Sequence, residues 1–198
     1  MRYLSFLAPA ALLFVFSSVS AAAPAAAETY EIDAGHTTVG FQVRHMGVSN
    51  VVGRFGAFEG KVTLDSDNLK DTSAEITIDV SSVYTGLQKR DDHLRNADFF
   101  DVDQHAQATF KSTGTKNVTS DGFDLTGNLT LLGVTKPVTL KVSGLSGEVE
   151  DPWGGVRRGA TATATIKRSD YGMTFYVAEG VVGDEVKLNL EVELMRKK

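Results

Sequence analysis

The sequence predicts an all-β protein in which about eight antiparallel strands form a barrel, with one short helical segment near residues 86–96. Apolar and polar side chains alternate along several stretches, which places one face of each strand in a dry interior and the other in water. Glycines and short runs of Asp, Asn and Ser separate these stretches, as expected for turns. Such a sheet closes into a barrel or pairs with a second sheet, and an eight-stranded barrel has room for side chains or one small ligand.

Four strands are predicted before the helical segment. A short piece at Tyr30–Asp33 precedes a first full strand that Gly47 ends. In each of the three full strands, every second residue is expected to face the dry interior. In chain order these residues are Val39, Phe41, Val43 and His45, then Phe58, Val62 and Leu64, then Ala74, Ile76, Ile78 and Val80. The polar stretch Asp65–Asp71 is predicted to form the turn between the second and third of these strands.

The segment Thr85–Phe100 breaks the alternation. Leu87 and Leu94 lie seven residues apart among polar residues that tolerate a helix, which predicts a short helix followed by a loop. We expect Arg90 and Asp91 to pair or to cap this helix, because charged side chains at helix ends commonly do so.

The second half of the chain begins with a shorter strand around Phe110. Alternating runs follow over residues 123–131, 138–142, 160–168 and 186–194. The third of these runs places Ala160, Ala162 and Ala164 on its dry side. Because methyl groups fill little volume, we expect an underfilled interior with space for a guest molecule.

The first 27 residues have the pattern of a secretory signal peptide. A charged start, Met1-Arg2, precedes an apolar run from Leu4 to Val19 and three small residues ending at Ala27. Cleavage after Ala27 leaves a single domain over residues 28–198, and the predicted location is the periplasm. A retained membrane anchor is the alternative, although the apolar run is short for a bilayer span.

The net charge and the cysteine content argue against several classes of function. The formal net charge of −5 becomes −6 once the signal segment is removed, because that segment carries one arginine and no acidic residue. A negative balance argues against nucleic acid as a partner. The sequence contains no cysteine, which excludes disulfides and a lipid-modified cysteine anchor.

Several motifs occur in the order found in the YceI-like family, which this chain resembles over almost its full length. The two most specific are Arg-Asp-Asp-His-Leu at 90–94 and Gly-Asn-Leu-Thr…Gly-Val-Thr-Lys over 127–136. The others are His36, Phe41–His45, Gly53–Phe55, Asp98–Val102, Ala108–Ser112, Arg168–Gly172 and Asp184–Val186. The resemblance implies a secreted, lipocalin-like antiparallel barrel that binds a polyisoprenoid, a quinone-like compound or a fatty amphiphile. It implies no catalytic activity and no cofactor.

The alternation of inward and outward residues along the strands, together with this resemblance, predicts the lipid-binding residues. We expect His45 at the inner rim and Phe99 and Phe100 near the channel mouth, where the helical segment around His93 shapes the entrance. The predicted set is Phe41, Val43, His45, Ile76, Ile78, His93, Phe99, Phe100, Phe110, Leu129, Leu140, Ala162, Ala164 and Leu190. The protein is expected not to be membrane-integral, and a homodimer is left open.

Two alternatives of other classes remain. A metal-assisted periplasmic enzyme would use His45 and His93, from a pool of possible ligands that also includes His36, His105, Asp91, Asp92 and Asp101. The sequence has no His-x-x-x-His pair, so we expect no metal site. In an outer-membrane barrel, the apolar face of each strand would lie toward lipid, and the face that carries Thr, Lys and Glu would lie toward a water-filled lumen.

Overall fold

A computed structural model describes residues 27–66 and 68–197. This part of the chain forms twelve strands, one α-helix and three short 3-10 turns. The strands are β1 (Glu28–Ile32), β2 (Thr38–His45), β3 (Ser49–Phe55), β4 (Phe58–Leu64), β5 (Ser73–Asp79), β6 (Val83–Tyr84), β7 (Gln107–Lys116), β8 (Phe123–Leu131), β9 (Val134–Ser143), β10 (Val149–Glu150), β11 (Gly155–Lys167) and β12 (Val182–Lys197). The helix α1 spans Gln88–Arg95, and the 3-10 turns span Leu69–Asp71, Val80–Ser82 and Arg168–Tyr171.

Eight strands close into an antiparallel barrel, in the order β11, β9, β8, β7, β5, β4, β1, β12 and back to β11. The ring closes on β12, which pairs with β11 along one edge from Glu185 to Lys197. Its other edge pairs with β2 from Val182 to Glu191 and with β1 at Leu194 and Met195. The predicted all-β barrel with one short helix is therefore confirmed.

The alternating pattern corresponds to an apolar inside and a polar outside. Along β12, Val186, Leu188 and Leu190 face the interior, whereas Lys187 and Glu191 are exposed. This orientation is the reverse of the one that an outer-membrane barrel requires. Across residues 27–66 and 68–197, no helix combines the length and the hydropathy needed to cross a bilayer.

The two ends of the barrel differ. At one end, which we call the closed end, Tyr30, Leu64, Val156 and Leu194 are buried together and fill the interior. The other end, which we call the mouth, carries α1, the loop over residues 96–106 and the segment over residues 168–182. The interior is thus sealed at one end and covered by a helix and loops at the other.

Strand β3 was not predicted, and its sequence explains why. Adjacent Val51 and Val52 interrupt the alternation, and Gly53 replaces an apolar side chain on the inner face. Val52 points outward and is 64% exposed, so the rule that apolar residues face inward fails at this strand. Strand β11 also begins earlier than the alanine run, at Gly155. The predicted signal peptide lies outside the described residues, apart from Ala27.

Candidate ligand-binding cavity

The barrel interior contains an elongated cavity of about 170 Å³. Of the 26 residues around it, Thr37 and Arg168 are the polar ones. The full lining is Ile32, Thr37, Val39, Gly40, Phe41, Val43, Phe55, Ile76, Ile78, Leu94, Phe99, Phe100, Ala108, Phe110, Leu129, Leu131, Val138, Leu140, Ile166, Arg168, Met173, Val182, Val186, Leu188, Leu190 and Val192. A site of this composition selects its occupant by shape and hydrophobicity.

The lining extends along the barrel from Val192, near the closed end, to Val182 at the mouth. These residues are ten positions apart on β12, which corresponds to about 33 Å along a strand at ~3.3 Å per residue. Barrel strands tilt by roughly 35–45°, so the distance along the barrel axis is about 25 Å. A volume of about 170 Å³ spread over that length is narrow. Its shape suits a single extended chain.

Ten of the fourteen predicted lipid-binding residues line this cavity. They are Phe41, Val43, Ile76, Ile78, Phe99, Phe100, Phe110, Leu129, Leu140 and Leu190. The other four, Ala162, Ala164, His45 and His93, lie elsewhere. Val186 and Leu188 also line the cavity, and they have the same parity as Leu190. Strand periodicity would have identified both.

The two alanines do not create the space in the way that the sequence suggested. Ala162 is buried among Phe110, Phe123 and Leu140, and Ala164 packs against the same cluster. The alanine strand therefore allows large side chains from β7, β8 and β9 to approach it closely. Phe110 and Leu140 of this cluster line the cavity, whereas neither alanine does.

Four aromatic rings pack together at the mouth. The ring of His93 meets Phe99 edge-on with centroids 5.0 Å apart, and it meets Phe175 in the same way at 5.4 Å. Phe175 contacts Phe99 at 5.5 Å and Tyr176 at 4.2 Å. His93 Nε2 also lies 2.9 Å from Asp98 Oδ2. The predicted entrance residue His93 is thus a packing partner of the lining ring Phe99.

Arg168 is the buried cation of the mouth, with 2% of its surface exposed. Its guanidinium donates hydrogen bonds to the carbonyls of Gly183, Met173, Phe175 and Val182 at 2.8–3.0 Å. Burial lowers the pKa of Arg168, although an arginine remains charged at any physiological pH. One side chain therefore holds both ends of the segment over residues 172–183 beside the cavity.

The charged residues of α1 anchor the helix. The Asp91 carboxylate is buried and accepts a hydrogen bond from the Thr85 amide at 2.8 Å. Arg90 donates to the Thr85 carbonyl at 2.7 Å, and Arg95 donates to the carbonyls of Ser81 and Val83. These bonds attach α1 to the chain that precedes it. The expected contacts are not the ones formed: in the part of the chain that the structure describes, Arg90 and Asp91 both bond Thr85, neither is seen to pair with the other, and no side chain caps the start of α1.

A second polar cluster lies near the closed end, outside the cavity. His36 Nδ1 is 3.0 Å from Asp33 Oδ2, and the Arg157 guanidinium bonds Asp33, Asp151 and Glu193. The hydrogen bonds from His36 and then from Arg157 lower the pKa of Asp33 to about 2, and the bond to Asp33 raises the pKa of His36.

Within the described residues, Asp33, His36 and Glu193 form the group whose ligand atoms are close enough for a metal ion. Arg157 already lies between the two carboxylates, so a cation there would compete with a guanidinium. His45 is exposed at the end of β2, and neither it nor His93 belongs to this group. The arrangement on which the metal-assisted alternative depends is therefore not seen in the described chain.

The fold and the cavity define a class of protein: small, closed antiparallel barrels with an apolar interior. The chain belongs to the YceI-like family, because the model of the YceI-like domain matches residues 30–194. It is 42% identical over 189 residues to a UPF0312 protein of Pseudomonas aeruginosa, covering 94% of this chain and 97% of that protein. It is also 42% identical over 191 residues to Protein YceI of Salmonella arizonae, covering 96% and 95%.

A solved structure gives the same fold. The polyisoprenoid binding domain from Saccharophagus degradans implicated in plant cell wall breakdown superimposes with a TM-score of 0.60 at 19% identity. The superposition covers 83% of this chain and 97% of that domain. At this level of identity, the likeness shows a shared architecture.

Proposed function

We propose that this protein is a binding protein that holds one elongated apolar molecule, a polyisoprenoid or another long-chain lipid-like compound, in the barrel cavity. The observation that carries the proposal is the narrow interior cavity of about 170 Å³, whose lining contains two polar residues among 26. The polyisoprenoid binding domain of Saccharophagus degradans, which shares the architecture, supports the choice of ligand class.

The energetics are favourable without any polar recognition. Each methylene moved from water into an apolar wall gains about 0.8 kcal/mol, so a five-carbon isoprene unit gains roughly 3–4 kcal/mol before the costs of ordering. Micromolar binding requires about 8 kcal/mol net. A chain of several units thus supplies enough free energy to offset the entropy lost when a flexible tail is confined.

The cellular role that fits this binding is storage, transport or protection of the lipid in the periplasm. The amino-terminal pattern, with cleavage after Ala27, and the membership of the YceI-like family support this location. Fractionation of the producing cells tests it. Release of the protein with the soluble periplasmic contents supports the proposal, and recovery only after detergent extraction contradicts it.

Native mass spectrometry of protein isolated without detergent tests the binding function. We expect a population heavier than the polypeptide, whose extra mass is released by organic solvent and identified as a long-chain apolar compound. The stripped protein should then bind geranylgeraniol with a stoichiometry of one. A chain that carries no passenger and does not bind this probe would contradict the proposal. Metal analysis of protein purified without chelator or affinity tag tests the enzyme alternative.

A further inference from the structure

Three apolar side chains are exposed around the mouth, and we call them the mouth rim. Met46 and Val48 lie in the β2–β3 hairpin and are 61% and 78% exposed, and Tyr176 lies in the loop before β12 and is 44% exposed. The Met46 amide donates to the Val181 carbonyl at 2.8 Å, and the Val182 amide donates to the Tyr176 carbonyl. The first bond joins the two segments that carry the rim, and the second closes the loop of Tyr176 on itself.

The mouth rim is continuous with the cavity. The ring of Tyr176 contacts Phe175, and Phe175 contacts Phe99, which lines the cavity. Val182, one residue after the Val181 carbonyl that binds the hairpin, lines the cavity as well. An apolar surface thus runs from the interior of the barrel to the solvent.

The backbone positions of two rim residues are unusual for large side chains. Met46 and Tyr176 have φ values of 51° and 59°, in the left-handed region where glycine, asparagine and aspartate are preferred. Met46 and Gly47 are the central residues of the turn that the Val48 amide closes by donating to the His45 carbonyl at 2.9 Å, a place where an apolar residue has no packing role. Unusual backbone conformations and exposed apolar side chains both recur at binding surfaces.

We propose that the mouth rim docks on the surface of a lipid bilayer, so that the cavity mouth faces the hydrocarbon region. This inference rests on the proposed function, because a long-chain lipid partitions into a bilayer and exchange through a docked mouth avoids its transfer across water. Arg44 donates to the Gly47 carbonyl within the hairpin, and Glu179 is exposed in the loop that carries Tyr176. Because the nearby charges have both signs, apolar insertion drives docking and the dependence on salt is weak.

Tryptophan fluorescence provides a test with an internal control. The only tryptophan of the sequence, Trp153, lies in the β10–β11 hairpin beside the closed end and is 84% exposed. A Val48→Trp variant in a Trp153→Phe background carries its reporter at the mouth instead. With phosphatidylcholine vesicles that contain brominated lipid, we expect a blue shift and quenching for this variant and neither for the wild-type protein. Quenching of Trp153, or of neither reporter, overturns the proposal.

Charged substitutions test the same surface by vesicle co-sedimentation. The double variant Met46→Glu, Val48→Glu should reduce binding to phosphatidylcholine vesicles by roughly ten-fold or more, because burying carboxylates in the interface is unfavourable. The matched control is Val52→Glu, an equally apolar and exposed position that lies farther along β3. Equal loss in the control and the double variant overturns the proposal, and circular dichroism shows whether each variant is folded.

Two further measurements separate the remaining outcomes. If the Val48→Trp emission shifts without vesicles and in proportion to protein concentration, the rim contacts a second copy of the chain and bilayer docking is wrong. Binding of geranylgeraniol by the stripped protein, measured without vesicles, reports on the cavity alone. The double variant should retain this binding, because neither rim residue lines the cavity. Loss of vesicle docking and failure of the proposed binding function are therefore distinguishable.

Discussion

The tip of the Phe41 ring packs against Gly53, its cross-strand neighbour on the inner face of the β2–β3 pair. A methyl group placed on Gly53 would overlap Cζ of that ring and would approach Cε1 to 2.7 Å and Cε2 to 2.9 Å. Phe41 also lines the cavity. The missing side chain at Gly53 therefore keeps an aromatic ring against the wall and out of the cavity.

Gly53→Ala should push the Phe41 ring into the cavity while the barrel remains folded, because a ring at the end of a side chain can rotate away. We expect the affinity for geranylgeraniol to fall roughly ten-fold, which corresponds to about 1.4 kcal/mol. Titration of the stripped protein measures this change. Gly56→Ala is the matched control, since its methyl would meet only the Ser82 carbonyl at 3.7 Å. Unchanged affinity in Gly53→Ala would show that Phe41 is not at the binding surface.

Leu188→Trp tests the cavity directly. Leu188 lines the cavity and Lys187 beside it on β12 is exposed, so Lys187→Trp is the control for a tryptophan on this strand. We expect the inward substitution to abolish geranylgeraniol binding and the outward one to preserve it. Melting curves by circular dichroism establish that both remain folded. A folded Leu188→Trp protein that binds as well as the control would show that the ligand lies elsewhere.

Ala162→Phe should reduce stability, because Ala162 is 6% exposed and belongs to a buried cluster with Phe110, Phe123 and Leu140. Overpacking of this kind costs about 1–3 kcal/mol, and it is to be measured as the shift in the urea unfolding midpoint. Thr163→Phe, one residue along β11 on the opposite face, should be close to neutral. Equal effects of the two substitutions would mean that the packing around Ala162 is looser than described.

Arg168→Met should destabilise the mouth, because it leaves four backbone carbonyls near the cavity without their donor. Loss of several buried hydrogen bonds to a charged group costs about 3 kcal/mol or more. Hydrogen exchange should accelerate first in residues 172–183, the segment that this guanidinium holds. If exchange rises equally throughout the barrel, Arg168 supports the whole fold and not the mouth in particular.

The His36–Asp33 pair predicts a pH dependence whose sign follows from its shifted pKa values. The raised pKa of His36 means that its contribution is fully present below its ordinary value of 6.5 and is lost as the pH rises through the raised value. The lowered pKa of Asp33 means that its contribution is lost only as the pH falls toward about 2. His36→Gln should therefore be less stable than the wild type at pH 5.5 and indistinguishable from it at pH 9. Urea unfolding at the two pH values measures this difference, and an equal difference at both would contradict the ion-pair interpretation.

The alternation of apolar and polar residues in the sequence was sufficient to predict the barrel and most of the residues that line the cavity. Period-two alternation identified the inward residues of β2, β5, β8 and β12, because each of these strands has one dry and one wet face. It failed for β3, where Val52 is exposed and Gly53 takes the inward position opposite Phe41.

Features that depend on contacts between residues far apart in the sequence could not be predicted from the alternation of apolar and polar residues. Arg168 is held beside the cavity by hydrogen bonds to backbone carbonyls up to fifteen residues later in the chain. No local sequence pattern reveals such partners. The cluster of Asp33, His36, Arg157 and Glu193 joins three segments that are far apart in sequence. For the same reason, alanines on a dry face did not reveal whether space or a neighbouring ring would lie beside them.

The central position of β12 has a consequence for biogenesis. This strand comes last in chain order, yet it supplies partners to β11 on one edge and to β1 and β2 on the other. Until residues 182–197 have left the ribosome, the edges of those three strands have no neighbour in this position and the ring cannot close. During synthesis the chain therefore remains an open sheet with unpaired strand edges until β12 emerges.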